Sequence, residues 1–307
     1  MKITLTFLSA AAAATFFLTA CNQGRKPNEA AGNGKKLVVH EEIKPFEGRY
    51  DTLALKGAAK DSGLAFFSKR YSREQRQVIL ALNRIDSNNV KRADTLVVPD
   101  SVWTDVTVYS PFPSRVKVLD SVKKIICFAY PIQAFGVYED GYLVRWGPTS
   151  MGRKDAQTPT GLYFANWKAE EHESSVDDEW LLKWNVNVIN DQGVGWHLYA
   201  MPGYPASHSC MRLLEKDARW LYDWVDEWTI KGDHQIEAQG TPTLIFGSYD
   251  FKGRKPWLKL LNDPNANRIS EETLTKELEP HLSKIMEEQA RTEKVTEAEK
   301  VDSASSN

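Results

Sequence analysis

The chain has 307 residues, of which 42% are hydrophobic and 11% aromatic, enough to form one or two ordinary hydrophobic cores. Its formal net charge of −2 excludes the strongly basic surface typical of nucleic-acid-binding proteins, so no nucleic-acid partner is expected. The sequence contains three cysteines, Cys21, Cys127 and Cys210, and no CxxC pair. Neither a disulfide framework nor a cysteine-based zinc module is therefore expected, and each cysteine needs its own explanation.

The N-terminal segment reads as an export signal. An apolar run from Leu5 to Leu18 is too short for a comfortable membrane span, and it ends in Leu18-Thr19-Ala20-Cys21, which resembles the lipobox of bacterial lipoproteins. The resemblance implies that residues 1–20 are a signal peptide and that Cys21 carries a lipid. An ordinary cleaved signal and an uncleaved anchor are the alternatives. Residues 21–45, rich in Asn, Gly, Lys and Glu, are expected to form a flexible tether, which makes this an exported protein of the cell envelope, lipid-anchored and facing the periplasm or cell wall.

Residues 46–101 predict a small α+β module. Thr52–Leu55 alternates as a strand does, Ser62–Phe67 predicts a first helix, Ser72 is placed to cap a second helix, and Leu96–Pro99 predicts a closing strand. This order resembles a LysM module, which binds peptidoglycan glycan, on the segments Ser62-Gly63-Leu64, Lys69-Arg70-Tyr71, Leu82-Asn83 and Ala93–Pro99. The alternative is an unrelated cap that packs on the next domain.

Residues 106–250 predict a mainly β domain of sandwich or barrel type with one flanking helix. The segments with strand-like patterns are Val116–Leu119, Lys124–Tyr130, Ala134–Tyr138, Leu143–Trp146 and Thr243–Phe246, and Glu139-Asp140-Gly141 predicts a hairpin turn. Cys127 lies among apolar residues of one such strand, which predicts a buried and inert thiol. Apolar residues between Leu213 and Trp228 recur at helical spacing after Cys210.

Residues 251–307 predict a helical extension. Ser270 is placed to cap a helix on which Leu274 and Leu278 share a face, and Pro280 is expected to interrupt it. From Glu287 onwards the residues are almost all polar, which favours a partly disordered end.

The residues that could perform chemistry lie in Gly195–Tyr199 and Ser207–Arg212. A cysteine is nucleophilic as its thiolate, and a neighbouring imidazole can accept the thiol proton. His197 and His208 both lie close to Cys210 in sequence, so this pattern favours acyl transfer. A helix beginning just beyond Cys210 would place its positive end near the sulfur and lower the pKa of the thiol. Three ligands of a zinc ion are the alternative interpretation.

The same segments resemble the L,D-transpeptidase (YkuD-like) catalytic family. The family pattern of a histidine, a loop, Ser/Thr-His-Gly-Cys and then an arginine is matched by His197 and Ser207-His208-Ser209-Cys210-Met211-Arg212. A second family feature, a glycine turn followed by TPTG, is matched by Gly147–Gly152 and Thr158–Gly161.

The resemblance implies a cysteine enzyme of peptidoglycan cross-linking that uses no metal or organic cofactor. Cys210 would attack a tetrapeptide stem and expel D-alanine, and His197, oriented by the backbone carbonyl in the Leu198 region, would act as base. His208 would support the site, and Ser207 would belong to the residues that bind the oxyanion or the substrate. The amides of Ser209 and Cys210 would bind the oxyanion, and Arg212 would hold a stem carboxylate.

Two departures from the family pattern bear on this hypothesis. Ser209 replaces a glycine whose backbone is expected to have a positive φ, and the loop between His197 and Ser207 holds only nine residues. An L,D-carboxypeptidase, in which water resolves the same thioester, and a non-catalytic peptidoglycan-binding lipoprotein are therefore the competing functions.

Overall fold

The computed structural model describes residues 43–56, 62–174, 181–232 and 235–305. The predictions for residues 1–20, for lipidation of Cys21 and for most of the tether 21–45 lie outside these residues. The described residues from Ile43 onwards belong to one compact unit. The segments 46–101, 106–250 and 251–307 therefore pack on one another within that unit.

Thirteen strands and five α-helices lie in the described residues. The strands are β1 Tyr50–Ala54, β2 Thr95–Pro99, β3 Ile125–Ala129, β4 Ala134–Glu139, β5 Tyr142–Ser150, β6 Gly161–Phe164, β7 Lys168–Glu173, β8 Leu181–Ile189, β9 Val194–Leu198, β10 Met211–Leu213, β11 Thr229–Lys231, β12 Gln235–Ala238 and β13 Pro242–Phe246. The helices are α1 Ser62–Arg70, α2 Arg73–Leu82, α3 Glu215–Trp224, α4 Glu271–Leu278 and α5 Leu282–Ser305. The fold is mainly β with a helical C-terminal segment, as the sequence predicted.

The N-terminal segment has the predicted strand, helix, helix, strand order. Strands β1 and β2 pair antiparallel, and helices α1 and α2 lie between them in sequence. Ser72 begins α2 with a capping box, because its hydroxyl accepts from the Gln75 amide while the Gln75 side chain accepts from the Ser72 amide. The local signals were therefore sufficient for this module, and its identification as a LysM module stays a prediction.

One nine-stranded sheet, in the order β6-β13-β3-β4-β5-β10-β9-β8-β7, forms the frame of the molecule. Strand β3 of this sheet is covered on both faces. Cys127 points into a core shared with the N-terminal module and the C-terminal helices, which includes Leu82 and Leu278. Phe128 points into a second core with Trp196 and Leu221, which lies beneath β9, β10 and α3. The predicted burial of Cys127 is thus confirmed.

Three local predictions need correction. Val116–Leu119 does not form a strand, because Lys117–Leu119 is a 3₁₀ turn whose Val116 and Leu119 side chains are buried. The helix after Cys210 begins only at Glu215 and ends at Trp224, so Leu213 belongs to β10 and Trp228 lies beyond the helix. Polar composition predicted a partly disordered end, but α5 continues to Ser305.

The other C-terminal predictions are confirmed. The Ser270 hydroxyl caps α4 by accepting from the Thr273 amide, and Leu274 and Leu278 are buried. A 3₁₀ turn at Glu279–His281, which contains Pro280, separates α4 from α5. Within the described residues, no helix is long and apolar enough to span a membrane.

Candidate active site

The pairing of β9 with β10 brings the predicted catalytic residues together. The two strands are parallel, and His197 lies opposite Arg212 in the register. Because side chains alternate along a strand, Trp196 and Met211 point into the core while His197 and Arg212 point to the other face. Cys210 precedes Met211 and shares that outer face. Residues from two segments separated by a loop thus reach one cleft.

His197 is held in one orientation by its own strand. It is 4% exposed, and its Nδ1 lies 3.1 Å from the Leu198 carbonyl oxygen. A carbonyl only accepts hydrogen bonds, so Nδ1 carries the proton and Nε2 keeps its lone pair. Burial lowers the pKa of His197 to about 4; the hydrogen bond to Leu198 acts in the opposite direction, and the Arg212 charge lowers the pKa further. At neutral pH the imidazole is therefore neutral and able to accept a proton, and the predicted role of the Leu198 carbonyl is matched by this contact.

The Cys210 thiol is partly exposed and lies beside the start of β9. Its Sγ is 3.7 Å from the Gly193 carbonyl oxygen. Burial raises the pKa of the thiol, although the Gly195 backbone and the Arg212 charge act in the opposite direction. Gly195 allows strand β9 to lie close to strand β8, since a Cβ at this position would lie 2.1 Å from the Val186 carbonyl oxygen. Thiol and imidazole are therefore a neutral pair at neutral pH.

The predicted helix dipole does not act on the sulfur. Strand β10 separates Cys210 from the first residue of α3, Glu215, by roughly 15 Å of extended chain. Helix dipoles influence groups within about one turn of the terminus, and this distance is larger. His197 lines the same cleft as the thiol and keeps an unprotonated Nε2, so it is the candidate proton acceptor.

The turn before Cys210 is held by the glycine and TPTG segment that the sequence singled out. Ser207 is buried and pairs in parallel with Gly152, with the Ser207 amide 3.1 Å from the Met151 carbonyl oxygen. The Thr158 hydroxyl in turn accepts from the Gly152 amide at 2.8 Å. A Cβ on Gly152 would lie 2.3 Å from the Ala156 carbonyl oxygen. The two motifs therefore form one structural support of the site.

His208 is bound to an arginine. Arg153 Nη1 contacts His208 Nε2, and Arg153 also pairs with Asp155 at 2.8 Å. A guanidinium only donates, so His208 Nε2 accepts this hydrogen bond. This arrangement suits a supporting residue, as predicted, rather than a second base.

Ser209 has a backbone φ of +89°, which is the conformation expected for the glycine that it replaces. A non-glycine residue in this region costs about 1–2 kcal/mol. The hydroxyl lies 3.4 Å from the Ala156 carbonyl oxygen, a weak contact. The turn keeps the shape that glycine would give it, and the serine is strained.

Arg212 lies at the rim of the cleft. Its Nη1 donates to the Ala200 carbonyl oxygen at 3.2 Å, and its guanidinium lies over the Tyr199 ring at 4.6 Å. These two contacts fix the side chain while the other N–H groups stay available to a carboxylate.

The loop between His197 and Ser207 is held by a residue that sequence reasoning missed. Asp86, from the N-terminal module, accepts from the Met201 amide at 2.6 Å, and its own amide donates to the Met201 carbonyl at 3.0 Å. The neighbouring Ile85 forms a β-bridge with Pro202. No local pattern connects positions 115 residues apart, so only the fold reveals this clamp.

Fifteen residues line the cleft, which has a volume of about 250 Å³. They include Cys210, His197, His208, Ser207 and Arg212, so five predicted site residues meet there. Sequence reasoning missed other lining residues, which include Trp167, His172, Asn185, Asn187, Asn190 and Tyr199. The alternation of Asn185 and Asn187 with buried valines in β8 was a usable signal, because polar side chains on one face of a buried strand indicate a site.

No group of three or more His, Cys, Asp or Glu side chains in the described part of the chain is arranged to hold a metal ion. The zinc interpretation of His197, His208 and Cys210 therefore has no geometry to support it there. Nε2 of His208 is also engaged by Arg153.

A buried histidine oriented by the carbonyl that follows it, beside a cysteine on the neighbouring strand, is the arrangement that the resemblance implied. Residues 123–245 match the L,D-transpeptidase catalytic domain family, YkuD. The matched segment begins just before β3 and ends in β13, so it contains the whole cleft. Residues 123–245 are thus similar to an L,D-transpeptidase catalytic domain, and no curated protein matches the chain.

Several solved L,D-transpeptidases are similar to this chain over part of its length. The enzyme from Stackebrandtia nassauensis has 24% identity and a TM-score of 0.34, over 41% of this chain and 57% of its own. The enzyme from Mycobacterium smegmatis has 22% identity and a TM-score of 0.32, over 41% and 59%. The enzyme from Xylanimonas cellulosilytica has 26% identity and a TM-score of 0.32, over 40% and 60%. The chain therefore spans less than two thirds of the length of these structures.

Proposed function

We propose that the protein is a cysteine-dependent L,D-transpeptidase that acts on the stem peptides of peptidoglycan. The observation that carries the proposal is the pairing of β9 with β10, which gives the Cys210 thiol and the proton-accepting Nε2 of His197 a common cleft. The family match over residues 123–245 supports the class of reaction.

In the first step, the Cys210 sulfur attacks the carbonyl carbon of the third residue of a tetrapeptide stem, and the thiol proton moves to Nε2 of His197. The tetrahedral intermediate then breaks its C–N bond. His197 returns the proton to the departing D-alanine amine, which leaves a thioester on Cys210. Because thiol and imidazole are both neutral beforehand, proton transfer accompanies attack.

In the second step, the amine of another stem attacks the thioester carbonyl and gives a proton to His197. The C–S bond breaks, the sulfur takes that proton, and a 3→3 peptide bond results. The amides of Ser209 and Cys210 are proposed to bind the oxyanion, and Arg212 to hold a stem carboxylate. Ser207 and His208 keep the turn in place through Met151 and Arg153.

We also propose that Cys21 is lipidated and that the β1–β2 module binds glycan, which would hold the enzyme at its polymer in the cell envelope. Incorporation of a labelled fatty acid into the full chain, and its loss in Cys21→Ser, tests the anchor. Equal labelling of both proteins would exclude lipidation at this cysteine.

The test of the function is incubation of the full chain with a tetrapeptide muropeptide, followed by intact-mass measurement of the protein and chromatography of the products. Cys210→Ala removes the nucleophile, and Cys127→Ala is the matched control because Cys127 is buried in the core away from the cleft. We expect a thioester adduct and 3→3 dimers with the wild type and with Cys127→Ala, and neither with Cys210→Ala.

Each alternative has its own outcome. An adduct followed by release of tripeptide alone would identify a carboxypeptidase. Binding to sacculi without any adduct would identify a non-catalytic lipoprotein and overturn the proposal.

A further inference from the structure

A second groove lies on the other side of the β9 end from the catalytic cleft. It has a volume of about 890 Å³ and is bounded by α2, the turn at 85–88, the ends of β8 and β9, and the start of α3. We call it the basic groove. The N-terminal module supplies one wall and the transpeptidase domain the other, so the groove exists only because the two pack together.

The basic groove adjoins the catalytic cleft at one shared lining residue. Tyr199 lines both. Leu198, whose carbonyl orients His197, and Ala200, whose carbonyl accepts from Arg212, line the groove. A chain lying in the groove would therefore reach the Cys210 side by passing the Tyr199–Arg212 pair.

The charge of the groove differs from that of the chain. Its lining has five basic side chains and two carboxylates, a balance of +3, whereas the chain as a whole has a net charge of −2. Of the two carboxylates, Asp86 is occupied by the amides of Asn88, Asn89 and Met201. Glu215 lies in the first turn of α3, where the helix dipole already favours a negative charge.

Three of the basic side chains are placed to meet a ligand. Arg76 donates to two backbone carbonyls, and Lys183 pairs with Glu171 at 2.8 Å, so these two are engaged by the protein. Arg73, on one wall, and Lys216 and Arg219, on the other, are exposed, and the Arg219 guanidinium also lies over the Trp184 ring, 5.0 Å from its centroid. Two guanidinium groups on opposite walls suit carboxylates, which they can bind bidentately.

We infer that the basic groove binds an acidic peptide, namely the acceptor stem whose amine resolves the thioester on Cys210. This inference rests on the proposed function and names the second substrate of that reaction. A stem peptide ends in a carboxylate, so it supplies the negative charge that the groove lacks. Leu80 and Leu198 also line the groove and can make apolar contacts with a bound peptide.

Binding of a fluorescently labelled tripeptide stem to the full chain, measured by anisotropy, tests the inference. The variant Arg73→Glu/Arg219→Glu reverses one charge on each wall, and we expect its Kd to rise at least tenfold at low salt. The rise should shrink as salt increases, because exposed charges are screened over about 10 Å at 0.1 M. Arg254→Glu/Lys294→Glu, which makes the same charge change at exposed positions outside both grooves, is the matched control and should leave the Kd unchanged.

An unchanged Kd in the groove variant, or equal losses in groove and control variants, would overturn the inference. So would binding of inorganic polyphosphate or anionic lipid vesicles at the groove while the stem peptide does not bind. The thioester on Cys210 is measured in parallel on the same proteins. Absence of the thioester from the wild type would contradict the proposed function, whereas the peptide affinity alone tests whether the groove binds the stem.

Discussion

The two segments that meet at the cleft are held in different ways. His197 and Arg212 lie on paired strands, where the ladder of β9 and β10 and the Leu198 carbonyl fix them locally. The segment from Met201 to Ser209 has no regular structure of its own for most of its length. It is held by Gly152 and Arg153 on one side and by Asp86 on the other. The site residues on strands are thus held by the pairing of neighbouring strands, whereas the turn is held by contacts with distant parts of the chain.

The largest effect is expected on the strand side. His197→Gln keeps a polar side chain of similar size but removes the base, so we expect the rate of thioester formation to fall about 10²–10⁴-fold. Single-turnover acylation followed by intact mass measures this rate. The matched variant His172→Gln changes another histidine that lines the cleft, and a similar loss there would mean that His197 is not the base.

The buried imidazole should also make stability depend on pH. Its pKa is lowered to about 4 in the folded chain from an ordinary value of 6.5. Between these values the unfolded chain binds a proton that the folded chain does not, so the free energy of unfolding falls as the pH decreases. The full contribution of His197, present above pH 6.5, is roughly 3 kcal/mol, and it is lost by pH 4. Urea unfolding at pH 7 and 4.5 should show a smaller decrease in His197→Gln than in the wild type; equal decreases would contradict the assignment.

On the side of the turn, Asp86→Asn should loosen the clamp on Met201. Hydrogen bonds to a charged group contribute about 1.5–3 kcal/mol, so we expect a loss of stability of that order. If Asp86 positions the loop, kcat for the muropeptide should decrease even at temperatures where the variant is fully folded. Asp105→Asn is the control, because Asp105 also accepts a backbone amide, that of Thr107, but lies away from both grooves. Equal kinetic effects would reduce the role of Asp86 to stability alone.

The smallest effect is expected at Ser209. Ser209→Gly relieves the positive φ, worth about 1–2 kcal/mol, but glycine adds about 0.5–1 kcal/mol of unfolded-state entropy. We therefore expect a net gain of no more than about 1.5 kcal/mol in the free energy of unfolding. Ser209→Ala removes the hydroxyl and keeps the strain, so the difference between the two variants isolates the backbone. If the glycine variant is no more stable than the alanine variant, the positive φ at position 209 does not cost the protein stability.

Much of the site could be predicted because its signals are local in sequence. The cysteine and histidines lie in two short segments, and the Ser209 departure pointed to the positive φ that the structure has. The helix dipole prediction was wrong because the three residues after Cys210 form strand β10, which pairs with β9, so that the helix begins further from the sulfur. Hydrophobic periodicity cannot distinguish a strand from a helix in so short a segment. The strand predicted at Val116–Leu119 was wrong for a similar reason. Its apolar residues fit a strand pattern, but they are buried by a 3₁₀ turn.

By itself the sequence determined where most strands and caps lie and that Cys127 is a core residue, and it predicted which residues could carry the chemistry. These features depend on side-chain type and on short periodic patterns. Only the tertiary structure decided that Asp86 holds the loop between His197 and Ser207, that Arg153 binds His208, and that the N-terminal module and the large β-sheet enclose a basic groove. Each of these depends on contacts between residues far apart in sequence, whose free energy is gained only when the sheet brings them together.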